Sequence, residues 1–167
     1  MTTRYTTIEI SKQDLKFSAA HFTVFSATER ERLHGHNFRV RAELCAPVDD
    51  NGLCFDYQQI KSRLRKLCKS LDEYMLLPEH SPHLKITSNT DTYSVAFAEE
   101  TLQFNHSDTL LLPIHNTTVE ELSYYLLQVL RKSDNFLIEQ RITSLTIAVS
   151  SGDGQWGSSR WDSAHAP

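Results

Sequence analysis

Phe38, Val40, Ala42 and Leu44 alternate with Arg39, Arg41 and Glu43, and His36 and Asn37 extend the two rows by one place. A repeat of two puts the apolar row on one face of a strand and the charged row on the other, so this segment must be one half-buried strand of a sheet. Upstream, the stretch from Tyr5 to Phe22 shows the same period in Ile8, Ile10, Leu15, Phe17 and Ala19. Polar residues 26–32 separate the two stretches. Strands joined by such a loop pair antiparallel in the simplest arrangement.

The covering layer is also legible. After the Asp49-Asp50-Asn51-Gly52 turn the period changes, and Tyr57, Ile60, Leu64, Leu67 and Leu71 recur at three and four, one face of a helix with Asp56 as its N-cap. A second helix is expected from Thr117, carried by Leu122, Leu126, Val129 and Leu130. Thr117 and Glu120 have the spacing of a capping box. Asn135 and Phe136 close it, and Leu145, Ile147 and Val149 make a last alternating strand. Between the helices, Leu77-Pro78 and Ser81-Pro82 interrupt any helix. Residues 83–87, 92–97 and 101–104 read as short strands. The fold class is α+β: an antiparallel sheet with two helices packed on one face.

Composition sets the outer limits. At 167 residues roughly 70% of the unfolded surface can be buried, enough for one domain with its own core. That domain is expected over 1–151, with 78–113 an inserted hairpin region and the Gly- and Ser-rich 152–167 a partly ordered C-terminal tail. Lys+Arg 17 against Asp+Glu 21 leaves a net charge of −4, with no basic surplus for nucleic acid or an anionic membrane. No apolar run reaches membrane-spanning length. Three cysteines without CxxC pairing argue against a disulfide framework or a cysteine metal site. A cytoplasmic protein is expected.

Eight histidines are the compositional anomaly. His34-Gly35-His36 places two imidazoles on one side of a strand, and Gly35 between them permits close approach of a backbone or ligand. His21 closes the preceding strand, where an antiparallel partner brings it beside that pair. Three neutral imidazoles suit Zn²⁺ with a fourth position open to substrate. Taken alone, the spacing also fits a chance His-x-His and a structural strand-end histidine, so both readings stand at this point.

The segments KFSAAH and LHGHNFRVRAEL, separated by a polar loop, resemble the 6-pyruvoyl/6-carboxy-tetrahydropterin synthase family. FDYQQIK, the LD of SLDEYMLLP and NTTVEELSYYL follow in the family's order, so the resemblance spans residues 17–149. It implies the tunnelling fold, in which protomers assemble into a homo-oligomeric barrel with active sites between subunits. It also implies His21, His34 and His36 as zinc ligands and a small pterin as substrate. By the same resemblance Glu120 and Thr118, in NTTVEEL, are substrate-binding residues; for Glu120 the capping box is an equal alternative.

Three departures refine the chemistry. The family's loop cysteine, usually the base, has no counterpart in FTVFSATERERL. That loop instead holds Glu31, in the spacing Glu-x-x-His-Gly-His. The spacing resembles a subgroup that cleaves dihydroneopterin compounds to 6-hydroxymethyl-dihydropterin, toward folate. A carboxylate beside a substrate hydroxyl acidified by a metal can take its proton and start retro-aldol cleavage. As one of four alternating charges, Glu31 also has the alternative of a solvated loop acid. The family's Asp-His relay is replaced by Asp72-Glu73, two carboxylates that are candidate catalytic groups or plain solvated acids. Finally, the strand that usually ends in a ring-anchoring glutamate reads IAVSSGDGQW, with Asp153 its only acid. The expected activity is a zinc-dependent pterin lyase or synthase. The alternatives are 6-carboxy-tetrahydropterin synthesis toward queuosine and a metal-binding paralogue without turnover. Trp156 and Trp161 offer flat surfaces for a ligand ring or for packing.

Overall fold

The computed structural model describes residues 3–132 and 135–163. The long strand is β3 (His34–Pro47), and it organises the rest. β1 (Tyr5–Ile10) and β2 (Lys16–His21) both run antiparallel along one of its edges: β1 pairs with the far half, Ile10 opposite Ala42, and β2 with the near half, Lys16 opposite Arg39. The alternation expected as a single stretch from Tyr5 to Phe22 is thus broken between the two strands. Leu15 stays in the core there, and its carbonyl accepts a bond from the Val40 amide at 2.8 Å.

On the other edge of β3 lies β9 (Ser144–Gly152), followed by β10 (Gln155–Asp162). Beyond β2 come β4 (Tyr74–Pro78) and then β8 (Thr109–Leu112), both in parallel pairing. The main sheet is therefore mixed, antiparallel at its centre and parallel along one side. β5 (Lys85–Ser88), β6 (Thr92–Phe97) and β7 (Glu100–Asn105) form a separate antiparallel sheet of three, within the stretch expected as a hairpin.

β4 and β8 escaped the sequence reading for a physical reason. β4 lies between two cores. Leu76 packs with the helix-side cluster, while Met75 and Leu77 face a second cluster with Phe22, Val24, Val95 and Phe97. A strand covered on both faces loses the alternation that reveals a half-buried one.

Helices α1 (Tyr57–Leu71) and α2 (Val119–Lys132) cover the main core, where Phe17, Phe38, Leu44, Ile60, Leu64 and Leu122 are fully enclosed. Asp56 caps α1 as expected, its carboxylate accepting from the Gln58 amide at 2.9 Å. The start of α2 is shifted by one residue from the expected capping box. The Thr118 carbonyl accepts the first helical bond from Leu122, and its hydroxyl accepts from Glu121 at 3.4 Å. Thr117 is buried and Glu120 is released from capping. A single-turn helix α3 (Phe136–Glu139) follows.

The segment expected as a partly ordered tail is strand β10 over most of its length; residues 164–167 lie outside the described residues. Its small residues are a packing requirement. A Cβ on Gly157 would lie 2.8 Å from the Val119 carbonyl carbon, and Ser159 bonds Ser123 of α2, oxygen to oxygen, at 2.9 Å. Gly157→Ala should therefore lower stability by about 1–3 kcal/mol, the usual cost of overpacking. Gly152→Ala, where an added Cβ meets nothing within 4 Å, should be close to neutral. Urea unfolding midpoints measure both.

Candidate active site

The β2–β3 register sets His21 directly opposite His34 and Ala19 opposite His36. Residues 17, 19 and 21 share a face with 34, 36 and 38, so the three imidazoles converge at the end of the helix-covered side. The backbones meet closely here, with a Cβ on Gly35 falling 3.3 Å from the Ala19 carbonyl oxygen.

Two of the rings are oriented by backbone carbonyls. His21 Nδ1 donates to the Thr117 carbonyl at 2.9 Å, and His34 Nδ1 to the Arg32 carbonyl at 2.8 Å. Each bond fixes the tautomer that leaves Nε2 with a free lone pair. His34 Nε2 lies 3.0 Å from His36 Nε2, and the three ligand-capable nitrogens fall within 4.8 Å of one another. His21 Nε2 is buried with no hydrogen-bond partner among the described residues. A buried lone pair facing two further imidazoles is costly unless something electropositive takes it up. This donor set fits a divalent cation that accepts nitrogen, Zn²⁺ foremost. Burial pushes the His21 pKa below its ordinary value, so the ring stays neutral to lower pH.

Glu31 belongs to the same site. The 22–33 loop folds into a tight turn, with the Phe25 and Ser26 amides donating to the Glu29 carbonyl and the Glu31 amide to the Thr23 carbonyl at 2.8 Å. The Glu31 carboxylate accepts from the Thr23 amide at 3.0 Å and stands 3.9 Å from His34 Nε2. Burial opposes its charge, but the Thr23 amide and the neighbouring imidazoles outweigh that and hold its pKa below the usual carboxylate value. It is thus an ionised acceptor at neutral pH.

A cavity of about 510 Å³ opens over these groups. Thr23, Phe38, Thr117, Thr118, Val119, Glu120, Ser151, Gln155, Trp156 and Gly157 complete its wall. Thr118 and Glu120, expected from the sequence as substrate-binding, therefore face the same space as the histidines.

Asp72 and Glu73 are not brought there. Asp72 ends α1, and its carboxylate accepts from the Ser18 amide at 2.7 Å. Glu73 follows in a left-handed turn, φ 65°, its amide donating to the Ser18 carbonyl. Both anchor the outer edge of β2 and neither lines the cavity of this protomer. Within one protomer the role visible for both is structural, fastening the α1–β4 connection to β2. Asp153 likewise turns outward to Arg39, at 3.1 Å. None of the three cysteines lines the cavity, and burial drives the Cys68 thiol up to about 12.

Three residues, Asn116, Thr23 and Gln155, were not anticipated as contributors. Asn116 ties the loop to the start of α2, its amide nitrogen donating to the Val24 carbonyl at 2.7 Å and its oxygen accepting from the Val24 and Thr117 amides. Thr23 acts through its amide, which any residue but proline supplies, so no sequence signal marks it. Gln155 and Trp156 reach the cavity only because β10 pairs with β9. Arg41 lies over the Trp156 ring, 4.5 Å from its centre.

Zinc titrated into metal-stripped protein should raise stability by about 2.7 kcal/mol at a free concentration one hundred times its Kd. His34→Ala should abolish that gain in thermal unfolding. The unfolded chain binds a proton at His21 that the folded chain resists. Metal-free protein should therefore lose stability as pH falls below about 6.5, with a shallower slope in His21→Gln.

Comparison with known proteins is consistent with this site. A family model for 6-pyruvoyl tetrahydropterin synthase matches residues 9–160. A Methanocaldococcus jannaschii protein, provisionally assigned as a 6-carboxy-5,6,7,8-tetrahydropterin synthase, is 27% identical over 142 residues, covering 84% of this chain and 86% of its own. The Plasmodium vivax 6-pyruvoyltetrahydropterin synthase superposes with a TM-score of 0.89 at 27% identity, over 95% of this chain and 99% of that one. A variant of that enzyme with its catalytic glutamate replaced by alanine superposes equally well, at 26% identity over the same shares. The Plasmodium falciparum enzyme gives 0.88 at 26% identity, over 96% and 99%. The chain belongs to the 6-pyruvoyl tetrahydropterin synthase family.

Proposed function

We propose that this member of the 6-pyruvoyl tetrahydropterin synthase family is a zinc-dependent lyase acting on the side chain of a dihydroneopterin or its phosphate, releasing 6-hydroxymethyl-dihydropterin. The observation that carries the reading is the ionised Glu31 carboxylate, 3.9 Å from His34 Nε2 within the cavity that holds all three imidazoles. A glutamate is also the catalytic residue named for the similar Plasmodium vivax enzyme.

His21, His34 and His36 would hold the metal, which when bound supplies a Lewis acid that raises the acidity of a substrate hydroxyl. Glu31 accepts the proton of that hydroxyl at its carboxylate, which the Thr23 amide holds in place through Oε2. The electron pair left on oxygen forms a carbonyl as the adjacent carbon–carbon bond breaks. The carbon that stays on the ring then takes back a proton. Thr118 and Glu120 contact the rest of the substrate, and Trp156 forms part of the cavity wall beside them. A pterin-specific site benefits from a carboxylate opposite the ring's N–H donors. With Ser151 on β9 where such a carboxylate would stand, Glu120 is the remaining acid of the cavity that can serve.

A second reading, 6-carboxy-tetrahydropterin synthesis, is favoured by the assignment of the Methanocaldococcus jannaschii relative. In either case a homo-oligomer that completes the site between subunits is proposed, as is pterin as the substrate class. Among the described residues no helix is long and apolar enough to cross a membrane.

Zinc-loaded protein offered dihydroneopterin and its triphosphate separately, with products identified by mass, tests the proposal. Hydroxymethyl-dihydropterin should form, and Glu31→Ala should lower kcat by about 10²–10⁴-fold, the usual contribution of a positioned base. A 6-carboxy product would establish the second reading instead. Zinc binding without product from either substrate would refute both and leave a metal-binding paralogue.

A further inference from the structure

Glu31 is gripped from outside the cavity by a residue that the proposed chemistry does not use. Arg30 is absent from the cavity wall, and its side chain is 15% exposed. One guanidinium nitrogen donates to the Glu31 carbonyl at 2.9 Å, and the other pairs with Glu100 at 2.5 Å. Its Nε has no acceptor among the described residues, and aromatic rings cover the group instead: Phe22 at 5.1 Å and Phe97 at 5.8 Å from the guanidinium carbon. The aromatic and acidic contacts come from two places. Phe22 follows the ligand-capable His21. Phe97 and Glu100 are paired residues flanking the two-residue turn of the β6–β7 hairpin, where Ala98 takes a φ of 48°.

We infer that Arg30 is a positioning residue for Glu31, and that the three-stranded sheet β5–β7 is the buttress through which it acts. The inference rests on the reading of Glu31 as the proton acceptor. Glu31 sits on a loop, and a loop holds a catalytic geometry only if something outside it removes its freedom. The Thr23 contacts hold Glu31 from the cavity side. Arg30 holds the same residue's carbonyl from behind and ties it to an independent hydrophobic cluster. Arginine suits the task because its planar fork can bond two acceptors while its faces lie against rings, and a lysine ammonium offers no such plane. The β5–β7 sheet contributes no residue to the cavity wall. Its action on the site is through Phe97 and Glu100.

Amide hydrogen exchange of the zinc-loaded protein tests the grip without any substrate. In Arg30→Met, and independently in the milder Glu100→Gln, exchange at the Thr23 and Glu31 amides should rise at least about tenfold. Amides of β3 should keep their rates, and bound zinc should be unchanged. Turnover should show kcat reduced about 10–100-fold with KM within about twofold, as misplacement of a reacting group predicts. Arg30→Lys should recover part of both effects. Unchanged exchange in Arg30→Met and Glu100→Gln, or normal kcat in both while Glu31→Ala is inactive, would overturn the inference. Loss of zinc or a general rise in exchange would do the same, since the role would then be merely structural. Full turnover in Glu31→Ala would instead bring down the reading beneath it. The exchange data tell that failure apart from a failure of the grip.

Discussion

The pairing of β2 with β3 is the constraint from which the site follows. With His21 opposite His34, three imidazoles of two strands share one face and one end of the sheet. A slip of one residue would turn His21 to the other side of the pleat and disperse the cluster. The register is held by apolar contacts: Phe17 stacks on Phe38 with ring centres 5.0 Å apart, next to the histidines on the same face. Folding the core and aligning the three histidines are thus one event.

The sheet is used on both faces, and the two cores have different tasks. The helix-side core sets the histidines against the start of α2, so that the Thr117 carbonyl can orient His21. The second core lies under β5–β7 and includes Phe22 and Val24 of the loop that carries Glu31. Imidazoles and carboxylate therefore rest on separate apolar supports that meet at His21-Phe22. β10 closes the remaining side, where the absence of a side chain at Gly157 lets α2 come within contact distance.

The electrostatics of the cavity are asymmetric. Near the histidines, backbone groups neutralise what is buried: carbonyls orient two rings and the Thr23 amide steadies the Glu31 charge. At the other end the polar groups are mostly neutral, with Ser151 and Gln155 hydrogen-bonded to each other at 3.2 Å and Glu120 the carboxylate present. The imidazoles and the Glu31 carboxylate thus gather at one end of the cavity, and the neutral polar groups of β9 and β10 at the other.

Much of this was legible in the residues alone. The period of two in β3, the three-four spacing of α1 and α2 and the Asp56 cap are local patterns, written within a dozen residues of one another. The histidine triad needed one further assumption, the antiparallel pairing of two neighbouring strands. β4 could not be read, because MLLP is covered on both faces and carries no alternation. β10 looked like a tail, because its Gly157 and Ser159 have meaning only against α2. The capping box fell one residue early, since Thr117 is drawn into the core and Thr118 takes its place. Asp72 and Glu73 stand outside this protomer's cavity, a placement that adjacency in sequence could not show, because it does not say which way a turn faces. What the sequence determined by itself was the set of chemical groups and the elements that carry them, since both depend on short-range order. Which groups share a cavity, and that Arg30, Asn116 and the Thr23 amide hold them there, only the tertiary structure decided, because those contacts join segments whose neighbourhood exists nowhere but in the packed fold.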